Sequence, residues 1–93
     1  MEHLKKYRQD YLNFLEAGFI AINQADEDSA VKLFNAANLL NPKNNLGKIG
    51  FGYLHLHKLE LKQATKCFKE VLKKEPNNEI AKTLLGITLS MTP

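Results

Sequence analysis

Gly47-Lys48-Ile49-Gly50-Phe51-Gly52 is the stretch with the strongest look of chemistry, because glycines beside a lysine can wrap a phosphate. It lies within a helical apolar pattern rather than after a strand, and no Gly-Lys-Ser/Thr ending follows. The phosphate reading therefore gives way to a helical one. His55 and His57 are two apart on a helix, so they point about 200° away from each other and cannot share a metal through that spacing. Cys67 sits mid-helix beside Phe68 and reads as a small, partly buried hydrophobe. The run Asp26-Glu27-Asp28 falls where a helix begins and no ligand series follows it, so it reads as helix-start chemistry before a calcium site. Lys62, Lys66, Lys69 and Lys73 share one outward helix face, which reads as a solvated surface, or more weakly as a site for an acidic partner. No Ser/His/Asp or Cys/His set emerges, so no enzyme, no cofactor and no metal are expected.

The whole chain bounds the answer further. Its 93 residues form one small domain, 1–93. Net charge is +3 and the pI is near 9.0, with lysines interleaved among acids. That is not the dense basic stripe of a nucleic-acid binder, so no nucleic acid is expected. A lone cysteine suits a reducing compartment. The first residues lack the apolar run of a signal peptide, and no stretch is apolar enough to insert in a membrane. A soluble cytoplasmic protein is the expectation.

Five helices must position whatever the chain binds. The first is expected from Leu4 to Gln24, apolar on more than one stripe from Tyr11 onward. The second runs from Glu27 to Leu40, with Ala30, Leu33, Phe34, Ala37 and Leu40 at helical spacing, and stops at Asn41-Pro42-Lys43-Asn44. The third, Asn45 to Lys58, carries three glycines, each costing about 1 kcal/mol against alanine in a helix. Such a cost points to close helix approach or to a groove that needs room. The fourth, Leu61 to Lys74, is amphipathic and stops at Glu75-Pro76-Asn77-Asn78. The fifth, Glu79 to Met91, is the last; beyond it the chain reaches Pro93, where a partner helix would be expected.

The punctuation repeats at a period of 34 residues. Gly18, Gly52 and Gly86 fall in register, as do Ala30 and Ala64, Phe34 and Phe68, Pro42 and Pro76, Asn44 and Asn78. The repeats are 11–44 and 45–78, followed by a half repeat at 79–93. This pattern resembles the tetratricopeptide repeat. Phe14, Ala17, Gly18, Ala21, Ala30, Phe34, Ala37 and Pro42 fill its places in the first repeat. Lys48, Phe51, Gly52, His55, Ala64, Phe68, Val71 and Pro76 fill them in the second, where Lys48, His55 and Val71 depart from the usual aromatic, tyrosine and alanine. The resemblance implies an all-α fold, a right-handed helical-repeat array of about two and a half repeats. A narrower resemblance rests on the degenerate repeats, the closing Ala81–Leu89 stretch and the short chain. It is to bacterial type III secretion chaperones of the tetratricopeptide class, which hold a needle subunit or a translocator in the cytosol.

In the tetratricopeptide fold the first helix of each repeat lines the concave face. The resemblance then places Leu12, Leu15, Phe19, Ile22 and Asn23 in the groove from repeat one. Repeat two adds Leu46, Ile49, Gly50, Tyr53, Leu56 and His57, and the half repeat adds Ile80, Thr83, Ile87 and Ser90. The combined set of Lys, Asn and Arg that clamps a partner's C-terminal carboxylate in many such domains is missing from these positions. An apolar groove suits the apolar face of an amphipathic helix, with Tyr53 as an anchor and Gly50 giving a ligand room to approach the backbone. The expected function is protein binding. The chain would be a small cytosolic chaperone of a helical partner or, alternatively, part of a larger adaptor scaffold. An alternative stays open: these residues are the chain's own core, or the groove is filled by the chain's own N-terminal segment or by a second copy. Leu84, Leu85, Ile87, Leu89 and Met91 have no capping helix in the sequence, so a longer natural chain, a homodimer or another partner is expected to cover that end.

Overall fold

Asp26 and Asn78 each start a helix, and two left-handed residues, Ala25 and Leu59, stop two others. The computed structural model describes residues 2–93, arranged as α1 (Glu2–Asn23), α2 (Glu27–Leu40), α3 (Leu46–His57), α4 (Leu61–Lys74) and α5 (Glu79–Met91). The Asp26 carboxylate accepts from the Ser29 amide at 3.2 Å, and the Asn78 side chain accepts from the Ala81 amide at 2.9 Å. Ala25 and Leu59 take positive φ of 59° and 61°. Around them the Asp26 amide donates to Ala21 O and the Ala25 amide to Ile22 O, while Glu60 donates to His55 O and Leu59 to Leu56 O. This paired bonding closes the ends of α1 and α3 with no glycine at the left-handed position. The turns after α2 and α4 also match: Asn41 donates to Ala37 O and Glu75 to Val71 O, with Pro42 and Pro76 next in line.

The helices form antiparallel hairpins, α1 with α2 and α3 with α4, and α5 packs on α4. The odd-numbered helices also touch along the stack, α1 with α3 and α3 with α5, whereas α2 and α4 do not meet. A stack whose odd helices are close and whose even helices splay apart curves toward the odd side. The result is an all-α array of the tetratricopeptide type, as its periodicity implies.

Two phenylalanines hold the array together. Phe34 and Phe68 are fully buried, each on the second helix of its hairpin. Their rings lie where glycines leave room. A Cβ placed on Gly18 would stand 2.7 Å from the Phe34 ring, and one on Gly52 would stand 2.5 Å from the Phe68 ring. The space beside Gly50 is also filled by Phe34, so that ring is slotted between α1 and α3. Phe19 meets it edge-on at 5.1 Å, and Phe51 lies 5.6 Å away. Ala30, Ala37, Ala64 and Val71, all fully buried, complete the close approach.

Ion pairs tie elements together at the surface. Lys48 on α3 pairs with Glu70 on α4, and Lys58 reaches back to Glu27 at 2.7 Å, linking the second hairpin to α2. His55 Nδ1 lies 2.9 Å from Glu60, which also receives Lys58 at 3.5 Å. The hydrogen bond to His55, helped by Lys58, holds the Glu60 carboxyl below its ordinary value, and the hydrogen bond from Lys48 does the same for Glu70. Glu27 in turn holds the Lys58 ammonium above its ordinary value.

Two outcomes follow. Gly52→Ala drives a methyl into the Phe68 ring, which buried neighbours keep from moving away. It is expected to destabilise the chain by about 1–2 kcal/mol after its helix-propensity gain is deducted, read as a lower urea midpoint. An unchanged or raised midpoint would contradict the slot. For the carboxylates the folded values lie below the unfolded ones, so the unfolded chain takes up protons first as pH falls. Their contribution is present above the unfolded value and is lost as pH drops through the folded one. The urea midpoint should thus fall between about pH 6 and about pH 3, and Glu70→Gln should flatten that dependence.

Candidate functional site

Because α1, α3 and α5 lie on the inner side of the curve, the residues they turn away from the even helices meet in one place. A hollow of about 420 Å³ opens there, lined by Phe19, Leu46, Ile49, Tyr53, Glu79, Ile80, Thr83 and Leu84. Every lining residue belongs to an odd-numbered helix. Its exposed surface is almost all carbon, and Glu79 is the one residue of the lining that is charged at neutral pH. The volume falls in the range of sites that take a small ligand or a few side chains of a partner.

Tyr53 stands at the polar end of this surface. Its hydroxyl donates to Asn23 Oδ1 at 3.2 Å, across the α1–α3 junction. Its ring lies 5.7 Å from Phe19 and 6.3 Å from the exposed His57. The side chain is therefore held at both ends before anything binds, which lowers the entropy lost when a partner meets it. Leu46 is half-buried at the start of α3, where its amide donates to the Asn44 side chain at 2.9 Å. Ile80 is 51% exposed, the most open of the large apolar groups in the hollow.

Of the residues expected in the groove, Phe19, Leu46, Tyr53, Ile80 and Thr83 come together here, over Ile49, which is a core residue, 1% exposed, at the floor of the hollow. Others are placed differently. Leu15, Ile22 and Leu56 are core residues, 5%, 1% and 8% exposed, because the even helices cover the side of the stripe they occupy. Gly50 was expected to admit a ligand; the Phe34 ring fills that space, so its small size serves the core instead. Leu12, Ile87 and Ser90 are exposed but do not line the hollow, and exposed His57 stands beside Tyr53 outside the lining. Sequence reasoning missed Glu79 and Leu84. Leu84 carried a usable signal, since it stands one period after Gly50 and puts a leucine where the second repeat has no side chain.

The other chemical suspects take plain places. Gly47–Gly52 lies within α3. Cys67 is half-buried on α4, and burial pushes its thiol up, away from the reactive thiolate. The α4 lysines Lys62, Lys66, Lys69 and Lys73 line a second hollow, of about 460 Å³, together with Thr65 and Glu70. Among the described residues no three His, Cys, Asp or Glu side chains are grouped to hold a metal, and no helix is long and apolar enough to cross a membrane.

No family model matches the chain, and no solved structure matches it. The chain is similar to RNA polymerase-associated protein CTR9 of Caenorhabditis elegans, 32% identical over 74 residues. That stretch is 78% of this chain and 6% of the worm protein, so the chain spans a small fraction of the length of the relative it resembles.

Proposed function

We propose that this chain is a protein-binding module, not an enzyme, and that it takes the apolar face of a partner's amphipathic helix into the hollow between α1, α3 and α5. The observation that carries this reading is the lining: side chains from three helices converge on one open, carbon-walled surface, with Tyr53 already fixed as an anchor. A helix laid there would bury Ile80, Leu46 and Tyr53 through residues at helical spacing, and a basic residue at its edge would meet Glu79.

Similarity to a short part of a much longer protein favours a scaffold role, in which these helices are one interaction segment of a larger assembly. The secretion-chaperone reading would use the same hollow, but nothing in the comparisons speaks for it.

Ile80→Asp places a charge at the mouth of the hollow without disturbing the core, since half of that side chain already meets solvent. Leu39→Asp, on the outer α2 at a residue 84% exposed, serves as the control. In affinity capture from native cells, a protein recovered by the wild type and by Leu39→Asp should be lost with Ile80→Asp. Equal recovery by all three would overturn the assignment of the hollow.

A further inference from the structure

The two glycine slots have a third counterpart. Gly18 and Gly52 are buried against the rings of Phe34 and Phe68. Gly86 follows at the same spacing, is exposed, and among the described residues has no atom within 4 Å of the place its Cβ would take. The neighbours of Gly86 repeat this relation. Ile87 holds the place of Phe19, whose ring packs edge-on to Phe34, yet Ile87 is 44% exposed. Leu89 holds the place of the buried Ala21 and is 49% exposed. Lys82 holds the place of Lys48, which pairs with Glu70 two residues after Phe68, and Lys82 is exposed without an ion pair among the described residues. The opposite side of the stack differs. There Glu16 stands one period before Gly50, exposed, so a charge sits where a ring slot would be.

We propose that the face of α5 centred on Gly86 is a second docking site, for a partner's amphipathic helix that carries an alanine, an aromatic ring four residues later and a carboxylate two residues beyond the ring. The occupant is specified by continuity with the two existing interfaces. In α4 the same surface is built from Ala64, Phe68 and Glu70, docked on Gly52 and Lys48. The docking helix repeats these contacts one period further on, with its ring over Gly86 and its carboxylate on Lys82. This site is separate from the hollow. Ile80 and Gly86 are six residues apart on α5, roughly 120° around the helix.

A peptide with the sequence of residues 60–75, its cysteine replaced by serine and a fluorophore attached, is a direct probe. Titrated with the full chain and read by anisotropy, it should bind saturably. Gly86→Ala supplies the Cβ that the slot excludes while removing a helix-interior glycine, so this variant should melt at a higher temperature than the wild type. It should nonetheless bind the peptide roughly tenfold more weakly or worse, as should the wild type toward a peptide with alanine in place of Phe68. Ile80→Asp should bind the peptide as the wild type does. No saturable binding up to about 1 mM would overturn the proposal, as would equal affinity for the Gly86→Ala chain. Loss with Ile80→Asp alone would overturn it and place the peptide in the hollow. A wild-type dimer in sedimentation that Gly86→Ala dissolves would also overturn it, by giving this face to a second copy of the chain.

Discussion

The Phe34 ring, held between Gly18 and Gly50, is the contact on which the rest depends. One side of the slot belongs to α1, the partner of α2 within the hairpin, and the other to α3, the first helix of the next. A single side chain therefore fixes both the crossing inside a hairpin and the step between hairpins. Any larger residue at either glycine would hold the helices apart. The helix-propensity penalty of those glycines, about 1 kcal/mol each, is offset by full burial of a phenylalanine, worth about 1.5–3 kcal/mol. Phe68 repeats the first half of this arrangement with Gly52, and Leu84 occupies the place that Gly50 holds for Phe34.

That packing also determines what remains for function. Phenylalanines from the even helices draw one side of each odd helix into the core, and the odd helices then crowd together on the inner side of the curve. Phe19, Leu46, Tyr53, Ile80 and Leu84, which the core does not fully cover, are left facing a common hollow. The binding role proposed for the hollow calls for rigid helices and side chains fixed in advance, as Tyr53 is by Asn23.

Much of this was legible in the sequence, for identifiable reasons. Helix stops announced themselves through proline and asparagine, and α2, α4 and α5 run between the residues that the periodicity indicates. The ends of α1 and α3 were less legible, because their left-handed stops are Ala25 and Leu59, where composition would suggest glycine. For the candidate site, periodicity identifies an apolar stripe but not which part of it a neighbouring helix will cover. Leu15, Ile22 and Leu56 lie on that stripe like Phe19 and Tyr53, and only the placement of the even helices separates the buried from the open. The Tyr53–Asn23 and Lys58–Glu27 links join residues about thirty apart and leave no local trace. Gly50 shows the limit most plainly, since a glycine signals close approach without naming what approaches.

The most direct measurement is site-specific photocrosslinking in native cells, with the reactive side chain at exposed Thr83 in the hollow or at exposed Lys66 on the outer lysine face. If the inner surface of the odd helices is where this chain meets its partner, a protein adduct forms from position 83 and not from position 66. An adduct from position 66 alone would contradict that claim and move function to the basic outer face.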